Sequence, residues 1–354
     1  MHRQPCVLGR YATPLKSIWV VVAAICAALL VTGLLFKEHH IRLPLSPALF
    51  QTSSSTGAST TAQPAVTIVV ASESGDDTTW LEPFNDWTKA VYITDNASAS
   101  LTVPRNKGRE GMAYLTYILD HYDHLPEIVI FSHSKRYQWH NDDPLYDGQA
   151  VLSWLNLTYA KSQGYVSLRC GWSLGCPKEI QPFVEAEMPP PASNPTAKDA
   201  RAGAFYRQAF EHLFPETSVP DVVAAPCCAQ FVVTAEQIRK RSKADYKRIR
   251  DWLLATTLND ALSGRILEYM WHIIFGQQAI SCPVAGDCYC NLFNLCKLDC
   301  ESSGTCREAY TLPKYSTMPD GWPDFDMDDN WQNVTEIRLK FEADNRGAAP
   351  ADRT

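Results

Sequence analysis

The chain has 354 residues, of which 45% are hydrophobic and 20% charged, and a net charge of −7. Enough apolar surface is available to bury, so this composition excludes a wholly disordered chain. The negative charge argues against a general nucleic-acid binder, because binding to phosphate requires a basic surface.

Residues 17–36 form the first predicted element, a stretch of twenty residues without a charged side chain. At about 1.5 Å per residue, a helix of this length spans the roughly 30 Å hydrocarbon core of a bilayer. The stretch is longer than the apolar region of most secretory signals, and no small-residue cleavage site follows it closely. We therefore predict an uncleaved transmembrane helix after a cytoplasmic tail of residues 1–16. A cleaved signal peptide is the alternative.

Features beyond this helix suggest that the rest of the chain is luminal. Three glycosylation sequons follow it, at Asn96, Asn156 and Asn333. Ten of the twelve cysteines also follow it, an even number that suits disulfides in an oxidising compartment. Lys and Arg are slightly enriched on the N-terminal side. We predict a single-pass type II glycoprotein in the membrane of the Golgi or endoplasmic reticulum, or at the cell surface.

A spacer separates the predicted anchor from the folded region. Residues 37–65 are expected to form a stalk, since eight of the ten residues from 52 to 61 are Ser or Thr and have nothing to bury. We assign residues 66–280 to a luminal α/β domain, 281–345 to a cysteine-rich extension and 346–354 to a disordered tail.

The folded region opens with a pattern typical of a βαβ unit. Short β-branched runs at residues 66–71 and 128–131 predict buried strands, and a further strand is expected at 90–94. Between the strands expected at 90–94 and 128–131, apolar residues recur at helical spacing from 108 to 122. Strand, helix and strand of these lengths favour a parallel sheet.

The remaining elements are expected to cover this sheet on both faces. The predicted fold is a Rossmann-like α/β domain with three layers and a parallel-rich sheet. We predict helices at residues 147–160, 200–213, 243–257 and 263–275, and a strand at 230–234.

The cysteines predict a disulfide-rich C-terminal extension. Six of them lie between Cys282 and Cys306, at spacings that lack the paired C-x₂-C of a zinc site, so disulfides are favoured over metal. The adjacent Cys227 and Cys228 are not expected to bond each other, because such a bond strains the peptide. Each is expected to pair with an earlier cysteine or with the later cluster. The connectivity is left open.

Three blocks of sequence carry a resemblance. They are Asn-Lys-Gly-Arg-Glu at 106–110 with the helix and strand that follow it, Pro-Cys-Cys-Ala-Gln-Phe at 226–231, and the apolar stretch beginning Ser-Gly-Arg-Ile-Leu-Glu at 263–268. Their order resembles the fungal domain-of-unknown-function family 3431, over about residues 66–276. Membership in that family implies no activity.

A remoter likeness concerns the order of elements. A first strand with an acidic loop, an Asn-x-Gly turn entering a helix, and a strand ending in polar residues are similar to inverting glycosyltransferases of the type A fold. This likeness implies a nucleotide held by the first loop, here at Asp76 and Asp77, with the turn at Asn106 beside it. It also implies a divalent metal such as Mn²⁺ on the diphosphate, bound by an Asp-x-Asp. That motif is absent after residue 131, and Asn141-Asp142-Asp143 is the candidate replacement.

The residues themselves suggest where an anion and a base would sit. Asn106 and Arg109 precede a helix, whose first N–H groups suit a phosphate; a solvated, capped helix is the alternative. His133 ends a predicted strand and is a candidate general base or metal ligand. Asp142 and Asp143 follow in the same polar loop, which is otherwise read as structural.

A late helix supplies a further candidate. Glu268 shares a predicted face with His272 and lies three residues after Arg265. The surrounding residues are apolar, so the carboxyl is either half of a structural pair or a tuned acid or base. The likeness to type A transferases favours Glu268 as the base for an acceptor hydroxyl.

Two functions follow as hypotheses. The first is a glycosyltransferase-like enzyme that moves a sugar from a nucleotide donor to a glycan, protein or small-molecule hydroxyl. The second is a non-catalytic luminal or cell-surface domain that binds glycans or scaffolds proteins. Loops that follow parallel strands leave the sheet at one edge. We therefore expect one cleft to contain Asp77, Asn106, His133, Asp143 and Glu268.

Overall fold

Five β-strands form one sheet in the computed structural model, which describes residues 65–188, 201–306 and 318–345. The strands are β1 (Val66–Ser72), β2 (Thr88–Ile93), β3 (Ile128–His133), β4 (Tyr165–Ser167) and β5 (Phe231–Thr234). Their order across the sheet is β2-β1-β3-β5-β4. β1 pairs in parallel with β2 and β3, whereas β5 is antiparallel to both β3 and β4. Four of the five strands therefore run in one direction, which confirms the predicted α/β class with a mostly parallel sheet.

The strands of the parallel block are buried on both faces. Ile68, Val69 and Val70 in β1 are all 0% exposed, as expected for a β-branched run in a central strand. Val69 lies opposite Ala90 on one side and Phe131 on the other. Its side chain belongs to one apolar core and that of Ile68 to a second, because successive residues of a strand face opposite ways.

Helices cover both of these cores. They are α1 (Gly111–His121), α2 (Gly148–Trp154), α3 (Leu157–Gln163), α4 (Pro182–Ala186), α5 (Gly203–Leu213), α6 (Ala235–Arg239), α7 (Lys243–Ala255), α8 (Asp260–Glu268), α9 (Trp271–Ile274), α10 (Ala285–Phe293) and α11 (Val334–Asn345). The first core takes residues from α1, α5, α7, α8 and α9, and the second from α2, α3 and α10. The sheet therefore lies between two layers of helix.

Two of the predicted helices are interrupted. The segment at 147–160 contains α2 and α3, because Asn156 adopts an extended backbone and caps α3 by accepting a hydrogen bond from the N–H of Tyr159 at 3.1 Å. The segment at 263–275 is divided between α8, which begins earlier at Asp260, and α9. α8 closes at Tyr269, whose N–H bonds back to the carbonyl of Arg265. The predicted common face of Glu268 and His272 is therefore wrong, since the two residues belong to different helices.

Five disulfides connect the ten cysteines from Cys170 onward. They are Cys170–Cys288, Cys176–Cys282, Cys227–Cys228, Cys290–Cys296 and Cys300–Cys306. The expectation that the adjacent cysteines do not bond each other is wrong. The backbone accommodates the bond by taking Cys228 to a φ of 96°, outside the conformations on which that expectation relied.

The C-terminal segment is joined to the sheet domain by covalent and ionic contacts. Two of the disulfides link it to Cys170 and Cys176, and α10 contributes to the second core. Arg338, in α11, forms ion pairs with Asp143 and Asp147 in the loop after β3. Packing and charge thus hold the extension against the face that the second core occupies.

The predicted anchor lies outside the described residues, together with nearly all of the stalk and the tail at 346–354. Within the described ranges, no helix combines the length and the apolar character needed to cross a bilayer. All of these ranges belong to one compact unit, Ala62–Thr354.

Candidate functional site

A single backbone residue joins the two candidate acid–base groups at the carboxyl end of β3. His133 ends that strand, Glu268 ends α8, and Cys228 lies between them in the loop that leads into β5. The N–H of Cys228 donates to Oε1 of Glu268 at 2.8 Å. Its carbonyl oxygen accepts a hydrogen bond from Nε2 of His133 at 2.7 Å. This arrangement is the centre of the candidate site.

The contact with a carbonyl determines the state of the His133 ring. A carbonyl oxygen only accepts, so Nε2 carries the proton and Nδ1 has the lone pair of the neutral ring. Burial lowers the pKa of His133, and Arg109 lowers it further, whereas the Cys228 carbonyl and Glu268 act in the opposite direction. The His140 ring lies 4.6 Å away, centroid to centroid. At neutral pH, His133 is therefore a neutral imidazole with Nδ1 available as a proton acceptor.

The Glu268 carboxyl is shielded but not sealed. Its side chain is 13% exposed, and Nε of Arg265 lies 3.5 Å from Oε2. Burial raises the pKa of Glu268 and Glu110 raises it further, against the effects of Arg265, the Cys228 N–H and Arg109. A carboxylate whose pKa is raised is a stronger base once ionised. Glu268 therefore suits proton transfer better than an ordinary surface glutamate does.

Glu110 is a member of this cluster that the sequence did not indicate as a site residue. It precedes α1, and burial raises its pKa to about 7 against the opposing effect of Arg109. Glu110 and Glu268 are near enough for the charge of one to disfavour that of the other. A carboxylate is common at the start of a helix, where it interacts favourably with the helix dipole, so this position does not by itself indicate a site. The signal that was available is that Glu110 and Glu268 both occur in blocks of the family resemblance.

Arg109 supplies a cation next to these acids. It has a left-handed φ of 54°, and its side chain lies against Gly264, where an added Cβ would come within 3.1 Å of the Arg109 chain. Among the described residues, its guanidinium makes no hydrogen bond or ion pair. Asn106 is exposed and begins the same turn. The glycine in α8 thus leaves room for an arginine whose charge has no ion-pair partner among the described residues.

The acidic loop after β1 lines a separate open groove of about 1020 Å³. The groove is lined by residues that include Asp76, Asp77, Trp80, Arg136, Tyr137 and Gln149. Asp76 accepts a hydrogen bond from Oγ of Ser134 at 2.6 Å, and Asp77 accepts one from the N–H of Thr79 at 2.9 Å.

This groove and the acid–base cluster lie at the same edge of the sheet but on different faces. Trp80 belongs to the second core, whereas Phe131 belongs to the first. His133 follows Phe131 by two residues, so it faces the first core. Ser134, which bonds to Asp76, is the next residue after His133. The loop at the end of β3 therefore connects the groove to the cluster.

Asp142 and Asp143 are occupied by partners within the protein. Asp142 accepts hydrogen bonds from the Cys170 N–H at 2.7 Å and the Tyr289 hydroxyl at 2.8 Å. Asp143 accepts from the Leu145 N–H at 2.8 Å and from Nη1 of Arg338 at 2.9 Å. Burial raises the pKa of Asp143 although Arg338 opposes that effect. The structure thus brings His133, Arg109 and Glu268 together, while Asp142 and Asp143 are committed elsewhere.

The donor atoms of these residues do not suit a hard divalent ion such as Mn²⁺. Within the described ranges, the side chains of Cys227, Cys228 and Glu268 are grouped closely enough to ligate an ion. Two of the three donors are sulfurs bonded to each other, and it is the thiolate that binds metals. The oxygens of Asp142 and Asp143 already accept hydrogen bonds. Neither group offers the open set of oxygen ligands that Mn²⁺ prefers.

Gln230 holds the two loops of the cluster together. Its Oε1 accepts hydrogen bonds from the Ser132 hydroxyl at 3.0 Å and from the His133 N–H at 3.2 Å. Its Nε2 donates to Oδ1 of Asn141 at 3.1 Å. This buried amide fixes the end of β3 against the loop that carries His140. It therefore holds the backbone of His133 in a defined position.

Comparison with known proteins identifies the family. Residues 68–291 match the family described as "protein of unknown function (DUF3431)", and the chain belongs to this family. No curated protein and no solved structure matches the chain. The matched range includes Arg109, Glu110, His133, Cys228 and Glu268.

Proposed function

We propose that the chain is a glycosyltransferase-like enzyme of the secretory pathway that uses a nucleotide sugar. The observation that carries this proposal is the pair of hydrogen bonds from Cys228 to Glu268 and His133. They hold two groups with shifted pKa values at the carboxyl end of a parallel strand, where ligands bind in open α/β sheets. Such an edge suits a reaction that requires a positioned base.

In the proposed reaction, an acceptor hydroxyl attacks the sugar carbon that is bonded to the donor diphosphate. Glu268 takes the hydroxyl proton as the new carbon–oxygen bond forms, and the bond to the diphosphate breaks with its electron pair. The nucleoside diphosphate is the leaving group. His133, with Nδ1 unprotonated, accepts a hydrogen bond from a neighbouring polar hydrogen of the acceptor molecule and orients it.

Arginines supply the charge that the leaving diphosphate needs. Arg109 makes no ion pair in the described part of the chain. Arg265 is 40% exposed and lies 3.5 Å from Glu268 and 3.8 Å from Glu179. One guanidinium group can donate to two phosphate oxygens at once, and its charge stabilises the negative charge that develops in a transition state. The proposal therefore does not route the diphosphate through a metal on Asp142 or Asp143.

The groove after β1 is the proposed place for the nucleoside. Its carboxylates, Asp76 and Asp77, can accept hydrogen bonds from ribose hydroxyls, and Trp80 and Tyr137 offer aromatic surface for a base. The Ser134–Asp76 contact sets the groove beside the loop that carries His133. A donor lying across the end of β3 would then place its sugar towards the cluster.

The type II anchor and luminal location belong to the same proposal. Five disulfides among the described residues suit an oxidising compartment. Asn96 and Asn333 are exposed, as carriers of glycans must be. Endoglycosidase treatment of the full chain from a secretory host should increase its gel mobility. An unchanged band, with an N-terminal tag accessible outside the cell, would reverse the topology.

A second function, non-catalytic glycan binding or scaffolding, is favoured by the commitment of Asp142 and Asp143 to internal partners. A thermal-shift screen of the full chain separates the two. The enzyme predicts stabilisation by a nucleotide sugar, with or without Mn²⁺, and transfer to an acceptor. Stabilisation by glycans alone would favour the second function. No response to any nucleotide or nucleotide sugar would overturn the first.

A further inference from the structure

The turn at the centre of the site has an uncommon backbone conformation. Cys228 has a φ of 96° and Ala229 a φ of 49°, so two successive residues with a Cβ lie in the left-handed region. Such a residue is strained and persists only where the surroundings impose the conformation. Something must therefore hold this turn in place.

Ordinary packing holds the chain before the turn. The N–H of Cys227 donates to the carbonyl of Leu174 at 3.3 Å. Gly175 lies so close that an added Cβ would come 1.9 Å from the carbonyl oxygen of Ala225. These contacts fix the chain up to Cys227, and Gln230 fixes the chain beyond the turn, so the bonds of Cys228 itself determine its conformation between two fixed ends.

The bonds of Cys228 are few, and two of them lead to the candidate acid–base groups. Its N–H is bonded to Glu268 and its carbonyl to His133. Its side chain is bonded to Cys227. The positions of Glu268 and His133 depend on the backbone of this turn. The disulfide is the side-chain contact that joins the turn to the fixed chain before it.

We infer that the Cys227–Cys228 disulfide is a positioning element for Glu268 and His133. The bond keeps Cys228 in the left-handed conformation that directs its N–H at one group and its carbonyl at the other. The importance of this role for catalysis rests on the proposed function, whereas the positioning itself does not. Its test therefore uses a readout that requires no activity.

The readout is the titration of the His133 ring in the full chain, followed by NMR with ¹³C-labelled histidine. The His133→Gln variant assigns the signal among the nine histidines. In the wild type, the pKa lies below the ordinary value of 6.5, because the ring is buried. In a variant with Cys227→Ser and Cys228→Ser, the turn relaxes and the ring loses its hydrogen bond to the Cys228 carbonyl, a contact that raises its pKa. The pKa therefore falls further below 6.5.

Two matched variants separate positioning from a general loss of cross-links. Cys290→Ser with Cys296→Ser removes a disulfide of the C-terminal segment and should leave the His133 titration unchanged. Cys227→Ala with Cys228→Gly lacks the bond but supplies a residue that adopts positive φ without steric cost. This second variant should titrate close to the wild type, even if the double-serine variant does not fold.

Two results would overturn the inference. A folded double-serine variant whose His133 titrates as in the wild type would show that the bond positions nothing. Unfolding of both the double-serine and the Ala/Gly variants, with the Cys290/Cys296 control intact, would show that the bond is a staple of the fold. Neither result depends on whether the protein transfers sugars, so the two proposals fail separately.

Discussion

Two acidic regions of the molecule are held in different ways. In the loop after β3, Asp143 is 5% exposed and accepts hydrogen bonds from two backbone N–H groups and from Arg338. At the end of α8, Glu268 accepts one backbone N–H, and its nearest cation is 3.5 Å away. Burial raises the pKa of both carboxyls, so only the supply of donors distinguishes them.

Acidity in a sequence therefore does not identify a ligand site. A carboxylate whose lone pairs are all taken by the protein contributes to folding and has little left for a ligand. A carboxylate that is shielded but underbonded is poised to exchange a proton. On this basis the first region is structural and the second functional.

The largest expected effect comes from Asp143→Ala. This change leaves two buried backbone N–H groups without their acceptor and removes one of the two carboxylates that pair with Arg338. Breaking a buried ion pair by removing one partner costs about 3–5 kcal/mol, and we expect a loss of that size in the free energy of unfolding. Chemical denaturation measures it.

The exposed Asp86 provides the control for that prediction. Asp86→Ala should change the stability by no more than about 0.5 kcal/mol. A loss below about 1 kcal/mol for Asp143→Ala, equal to that of the control, would mean that the loop after β3 is not held by its carboxylates. Asp143 would then become available again as a ligand residue.

The second prediction uses the raised pKa of Glu110, which is about 7 against an ordinary 4.5. Below pH 4.5 the carboxyl is protonated in both the folded and the unfolded chain, so it affects stability in neither direction. Between the two values the folded chain binds more protons, so stability falls as pH rises through about 7. Glu110→Gln should remove this loss, stabilising the protein by up to about 3 kcal/mol at pH 8 and hardly at all at pH 4.

Stability measured at the two pH values checks the sign. Glu216→Gln, at an exposed turn, should have the same small effect at both. An equal effect of Glu110→Gln at pH 4 and pH 8 would show that the carboxyl is not held in a shifted state. The second region would then lose one of its two acids.

The third prediction concerns the acceptor base. Glu268→Gln keeps the shape of the side chain and its bond from the Cys228 N–H but removes the proton acceptor. General-base catalysis contributes about 10²–10⁴-fold, so transfer to an acceptor should fall by at least about 100-fold. Donor binding, measured by thermal shift, should stay near the wild type.

Glu216→Gln again provides the control, with unchanged transfer. Loss of folding in Glu268→Gln would instead assign this carboxyl to the structural class of Asp143. Retention of full transfer would assign the base to another group.

Local patterns in the sequence predicted most of the sheet and part of the site. The β-branched run of β1 and the helical periodicity of α1 depend on neighbouring residues, so both were predicted. Strand direction predicted that His133 lies at the ligand-binding edge of the sheet, whereas the position of Glu268, at the end of a late helix, did not follow from it. Partners far along the chain could not be predicted in this way. Arg338 lies 195 residues from Asp143, and no local pattern indicates their pairing.

The residues missed within the site have the same explanation. Cys228 acts through its backbone, and a backbone contact leaves no mark in residue type. Glu110 is distinguished only by burial, which depends on how α1 meets the rest of the fold. The expectation that Cys227 and Cys228 do not bond each other assumed ordinary backbone conformations, and Cys228 has a left-handed one.

The smallest expected effect extends the same comparison to the sequons. Asn156 caps α3 through Oδ1, and its Nδ2, the atom that a glycan would occupy, donates to the carbonyl of Asn291 at 3.2 Å. Asn96 is exposed, and its side chain bonds only locally, to the N–H of Ser98 at 2.9 Å. We expect Asn96 to be glycosylated in a secretory host and Asn156 to remain unmodified.

Paired variants separate the cap from the sequon at Asn156. Asn156→Gln should cost about 1 kcal/mol of stability, the usual value of an N-cap, without changing gel mobility. Thr158→Ala destroys the sequon but keeps the cap, so neither quantity should change. Ser98→Ala destroys the sequon at Asn96, so the gel mobility should increase by the amount that corresponds to the loss of one glycan. If Thr158→Ala increases the gel mobility instead, Asn156 carries a glycan despite its two hydrogen bonds. Hydrogen bonding within the protein would then fail to predict which polar side chains are available to a ligand or a modifying enzyme.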